Sequence, residues 1–143
     1  MDPRLHFITL ATPDLDAARR FYRDGLGWEP TIDVPGEILF FPVAPGLMLG
    51  LFDAAKFEQD NGIPGSGAAI SGVTLSHNVD DEQAVRDAVE RVRAAGGTIT
   101  KEPQPGAFGG IYHAQVQDPN GVLWEIAHNP GWRVEADGTV AFS

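Results

Sequence analysis

The residues predict an α+β fold built from two βαβββ modules. Three observations lead there. Short β-branched and apolar runs are separated by Gly, Pro, Asn and Asp turn signals, as strands of a small sheet require. Two segments carry a helical apolar stripe, Ala17, Ala18, Phe21, Tyr22 and Leu26 in the first and Val85, Ala88, Val89, Val92 and Ala95 in the second. The order strand, helix, three strands then occurs twice, on either side of a Gly- and Pro-rich stretch at residues 61–67.

Residues 5–11 read as the first strand. Thr12 or Asp14 caps the helix that follows, Pro13 suits its first turn, and Gly25 and Gly27 close it. Strands are expected at 28–34, 38–43 and 47–52, with Pro35, Gly36 and then Pro45, Gly46 between them. A helical fragment at 54–59 leads into the linker, about 61–70. The second module opens with a strand at 72–79. Asp80, Asp81 and Glu82 then start a helix, where acidic groups suit the positive end of the helix dipole, and Gly96 and Gly97 end it. A strand at 98–101, a loop at 102–110 and a hairpin of 111–117 with 122–128 complete the series. Module one thus occupies about residues 4–60 and module two about 71–132. A tail at 133–143 either packs on a partner or forms a short hairpin. All 143 residues make one domain by length.

The closing hairpin turns on Asp118, Pro119, Asn120 and Gly121, strong turn chemistry. In the strand after it, Val122, Trp124 and Ile126 take one face and Leu123, Glu125 and Ala127 the other. A carboxylate buried in that apolar run is costly unless a cation, a proton or a hydrogen-bond donor satisfies it. Around the turn, His113, Gln115 and Gln117 share a face, opposite Tyr112, Ala114 and Val116, which brings His113 and Gln115 towards Glu125. The modules also echo each other in residues: Ile8, Thr9, Leu10 against Val73, Thr74, Leu75, and residues 46–52 against 121–127, with Glu125 opposite Gly50.

Composition narrows the function. With no cysteine there are no disulfides, thiolate metal sites or Cys nucleophiles. A net charge of -10 opposes binding to nucleic acid or anionic membranes, both of which need a basic patch. No apolar run reaches the length of a membrane span, and the first residues lack a signal-peptide layout, so cytoplasmic residence is expected.

The chain resembles the vicinal oxygen chelate superfamily, the glyoxalase, bleomycin-resistance and ring-cleaving dioxygenase group. The likeness is carried by Ile8, Thr9, Leu10 through Pro13, Asp14, Leu15; by Phe21, Tyr22, Arg23, Asp24, Gly25, Leu26, Gly27, Trp28; and by Asp118, Pro119, Asn120, Gly121 with Glu125 four residues on. It implies two βαβββ modules whose sheets curve into a cleft. In enzymes of the group a divalent metal sits there on His, Gln or Glu side chains from the first and last strands of the modules. Carried onto this chain, those positions are Phe7, Gly50, Thr74 (or Gly72, by the Ile-Thr-Leu echo) and Glu125. Glu125 is the one retained ligand position, since Phe and Gly offer no side-chain donor and a neutral Thr hydroxyl is a poor ligand for the usual divalent ions. No metal site and no cofactor are therefore expected, a divalent metal being the less favoured alternative.

These positions lead to a small organic ligand bound in the cleft, with Glu125 as base or hydrogen-bond acceptor and His113 as its partner, and with Phe7, Thr9, Gly50, Thr74, Phe108 and Gln115 shaping the pocket. Whether catalysis follows is left open. The alternatives are a resistance protein that sequesters a bleomycin-type drug, and a metal-dependent lyase or dioxygenase. A homodimer is expected from the resemblance and from the prevalence of two-fold oligomers.

Overall fold

Alternation of apolar and polar residues gives the central strands one buried face, and the computed structural model, which describes residues 1–68 and 70–143, shows where those faces meet helices. The chain divides into two compact units, Met1–Gly72 with Pro119–Gly121, and Val73–Asp118 with Val122–Ser143.

The first unit holds β1 (Phe7–Thr12), α1 (Leu15–Arg19), a π-helical turn (Arg20–Gly25), β2 (Ile32–Val34), β3 (Ile38–Ala44), β4 (Leu47–Asp53) and α2 (Ala54–Asn61). Its sheet runs β1-β4-β3-β2, with β1 and β4 parallel and the other pairs antiparallel. Leu39, Phe41, Leu49 and Leu51 are buried, as are Phe21 and Tyr22 of the helix. Asp14 caps α1 by accepting from the Ala17 amide at 2.8 Å. Arg19, almost fully buried, donates to Asp33 through Nε and Nη2 and to Asp16 through Nη1, joining the helix to β2.

The second unit repeats the plan with β5 (Thr74–Asn78), α3 (Glu82–Ala94), β6 (Thr98–Pro105), β7 (Tyr112–Gln117) and β8 (Leu123–His128), in the order β5-β8-β7-β6. β5 and β8 are parallel and the other pairs antiparallel. Val85, Ala88, Val89 and Val92 form the buried stripe of α3, which packs on β6, β7 and β8, where Ala114, Val116 and Ile126 are buried. Asp81 caps the helix through the Ala84 amide. The paired four-stranded mixed sheets are the two βαβββ modules expected from the residues.

Two boundaries differ most from expectation. β2 begins at Ile32 rather than Trp28, because the Trp28 amide continues the helix end by donating to the Tyr22 carbonyl and its ring packs on Tyr22 and Phe41. β6 runs on to Pro105 through residues expected to be loop. It is the edge strand, and Pro103 and Pro105 are tolerated where one side of the ladder has no partner. The tail forms a short hairpin, one of its two expected forms, pairing β9 (Trp132–Val134) with β10 (Val140–Phe142). Among the described residues, no helix is long and apolar enough to cross a membrane.

Candidate functional site

The 118–121 turn places the carboxylate of β8. Asp118 is buried; its Oδ1 accepts from the Val122 amide at 2.9 Å, its own amide donates to the Val122 carbonyl, and Gly121 takes φ +86°. Antiparallel pairing then sets Gln115 opposite Glu125, and the parallel neighbour β5 sets Ser76 on the other side. His113 stands two residues from Gln115 on the same face, directed away from α3.

Glu125 is part-exposed, with 30% of its side chain accessible, rather than buried as its apolar neighbours suggest. Three side chains address it. His113 Nδ1 lies 2.9 Å from Oε2, Gln115 Nε2 donates to Oε2 at 3.2 Å, and Ser76 Oγ approaches Oε1 at 3.5 Å. His113 Nε2 is buried without a hydrogen-bond partner among the described residues. No Lys or Arg pairs with Glu125 among those residues. Its surroundings are hydrogen-bond donors rather than a cationic side chain.

The equivalent row of the first unit holds no charged side chain. Thr9, Gly50 and Phe40 stand in register across β1, β4 and β3, as Ser76, Glu125 and Gln115 do across β5, β8 and β7. Phe7 lies two residues before Thr9 and Thr74 two before Ser76, so Thr74 is the counterpart of Phe7, which settles the choice against Gly72. The Phe7 ring occupies the space above Gly50: a Cβ there would lie 2.5 Å from Phe7 Cε1 and 3.2 Å from Phe40 Cε1. The two rings meet edge-on at 4.8 Å. Thr9 and Thr74 are exposed strand residues, and Phe108 stands 83% exposed on the loop between β6 and β7.

Glu125, His113 and Gln115 are thus brought together, and Ser76 joins them. Sequence reasoning missed Ser76; its signal was the β5–β8 register, which the repeat carries only if Thr9 and Ser76 are matched. The metal implied by the resemblance does not fit the residues present. Positions 7 and 50 offer no donor, the Phe7 ring fills the space a side chain at 50 would need, and among the described residues no three His, Cys, Asp or Glu side chains are grouped to hold an ion.

Two four-stranded βαβββ units, with a lone carboxylate on the last strand of the second, define an α+β protein of two repeated modules, of which the second carries the charged row. The family model "Glyoxalase/Bleomycin resistance protein/Dioxygenase superfamily" matches residues 4–126, and the chain belongs to that superfamily. Among solved structures it is similar to a glyoxalase-related enzyme from Fulvimarina pelagi, at 35% identity over 99% of both chains with a TM-score of 0.85. It is also similar to a lactoylglutathione lyase from Agrobacterium tumefaciens, at 28% identity over 89% of this chain and 94% of that one, TM-score 0.68. A 55-residue stretch is 42% identical to a lactoylglutathione lyase of Arabidopsis thaliana. That match covers 38% of this chain and 19% of the plant protein.

Proposed function

We propose that the protein binds a small organic ligand at the sheet face that carries Glu125, without the divalent metal used by enzymes of the superfamily. The observation that carries this reading is the filling of the Gly50 position by the Phe7 ring. Glu125, for its part, is addressed by His113, Gln115 and Ser76, so it has protein donors where a metal ligand would have an ion. A partly desolvated carboxylate beside an imidazole suits recognition of a polar group and also proton transfer to or from it. Lyase chemistry of the kind named for the Agrobacterium and Arabidopsis relatives is outside this reading if it needs the missing ligands.

Elemental analysis of protein purified without a polyhistidine tag tests the proposal. The expected result is no stoichiometric divalent metal, with a small organic compound retained or bound in native mass spectrometry and lost in Glu125→Gln. One metal per chain would overturn it. A second reading, sequestration of a cationic drug, draws on the net charge of -10. It is separated from catalysis by whether a bound compound is recovered unchanged. We also propose a homodimer, for which sedimentation equilibrium should return twice the 15.3 kDa chain mass; a monomer at micromolar concentration would contradict it.

A further inference from the structure

We propose that Glu125 Oε1 and Ser76 Oγ together read a hydrogen-bond donor on the ligand, while His113 and Gln115 act as positioning residues on the other carboxylate oxygen. This deepens the reading of Glu125 as an organic-ligand acceptor and rests on it. It names the ligand's polar chemistry: an N–H or O–H head such as an amidinium, an amide or an alcohol, and not a carboxylate or phosphate.

A carboxylate offers roughly four lone-pair sites. Oε2 is committed twice, to His113 at 2.9 Å and Gln115 at 3.2 Å. Oε1 has one contact, the Ser76 hydroxyl at 3.5 Å, the outer limit of a hydrogen bond. Ser76 is exposed, and its hydroxyl can accept from a ligand while donating to Oε1. Two acceptors about that far apart match the diverging N–H groups of an amide or amidinium. An anion placed there would meet the carboxylate charge instead, with no Lys or Arg paired to Glu125 among the described residues.

His113 fixes the orientation. Its Nδ1 lies 2.9 Å from Oε2, an oxygen that can only accept, while its Nε2 is buried without a partner among the described residues. The arrangement therefore selects the tautomer with the proton on Nδ1, donated to Oε2. Gln115, two residues along the same strand, adds a second donor to Oε2 through its Nε2, its position fixed by the β7–β8 register. Oε1 is left as the oxygen that faces a ligand.

A matched series with one ring and four heads tests this on the ¹⁵N-labelled full chain: benzamidine, benzamide, benzyl alcohol and benzoate, followed by chemical-shift mapping. Benzamidine should bind most tightly and shift the amides of Ser76, Gln115 and Glu125, while benzoate leaves them in place. Loss of a charge-assisted hydrogen bond predicts about tenfold weaker benzamidine binding in Glu125→Gln and about threefold in Ser76→Ala. Long-range ¹H–¹⁵N spectra should show His113 protonated at Nδ1. Benzoate binding as well as benzamidine overturns the inference. So do shifts confined to other strands, no binding by any of the four at millimolar concentration, or undiminished affinity in both variants. Failure here and failure of the metal-free reading are distinguishable. Stoichiometric metal with benzamidine still held at this row would sink the latter alone; a metal-free protein that ignores the series would sink the former alone.

Discussion

Gly50→Ala should be about 1 kcal/mol less favourable with Phe7 present than without it. Gly50 does not use a left-handed backbone conformation, so an alanine adds no backbone strain there; the cost is contact. The new Cβ would stand 2.5 Å from Phe7 Cε1, and the ring, on a side chain that is 39% exposed, must swing away. That gives up the edge-on pair with Phe40, worth about 0.5–1.5 kcal/mol. Replacing glycine by alanine recovers about 0.4–1 kcal/mol through the unfolded chain. The single variant should therefore fall between about 0.5 kcal/mol more stable and about 1 kcal/mol less stable than wild type. In a Phe7→Ala background the nearest of these contacts left are those to Phe40, at 3.2 and 3.3 Å, to which the ring adjusts by a few tenths of an ångström, and the same substitution should be neutral or stabilising by about 0.5 kcal/mol. Urea unfolding of the four proteins in a double-mutant cycle should give a coupling of about 1 kcal/mol. If Gly50→Ala has the same effect in both backgrounds, the Phe7 ring does not occupy the notch as described.

Asp33→Asn leaves the Arg19 guanidinium, 11% exposed, with Asp16 as its remaining carboxylate partner, and should cost about 1.5–3 kcal/mol at neutral pH. Hydrogen bonds from Arg19, aided by the nearby charges of Arg19 and Arg23, hold the Asp33 carboxyl below its ordinary value of 3.8. A depressed carboxyl stabilises fully above its unfolded value, and that contribution is lost as pH falls through the lower folded one. Urea melts should therefore show the gap between wild type and variant closing below about pH 4; a gap that stays constant down to pH 2 would count against the ion pair. Gly121→Ala, at φ +86°, should destabilise by about 1–2 kcal/mol and shift the amide resonances of Val122 and Glu125, since this turn sets where β8 begins. A variant as stable as wild type would show that the turn accepts another geometry.

Local and period-two signals were the legible ones. The turn at 118–121, the faces of β7 and β8, and the meeting of His113 and Gln115 with Glu125 follow from alternation and from a short hairpin, where register is set by the turn itself. The repeat made the topology readable, because β1-β4-β3-β2 and β5-β8-β7-β6 are one plan written twice. Ser76 was not legible, since it reaches Glu125 through a parallel pairing whose strands lie 49 residues apart. One echo in the residues pointed to a register two positions away, and only cross-strand pairing separates the two. The exposure of Glu125 was missed for a related reason: apolar neighbours in sequence lie mostly on the other face of the strand. The reach of β6 through Pro103 and Pro105 could be read only after its place at the sheet edge was known.

Glu125 is proposed to serve an organic ligand rather than a metal, a reading supported by its protein donors and by the Phe7 ring over Gly50. A crystal structure of the tag-free protein soaked in Ni²⁺, with anomalous data at the nickel edge, tests it most directly. The prediction is no anomalous peak beside Glu125, with the Phe7 ring seated over Gly50 and His113 Nδ1 still bonded to Oε2. An ordered peak at about 2.0–2.2 Å from a Glu125 oxygen would contradict it.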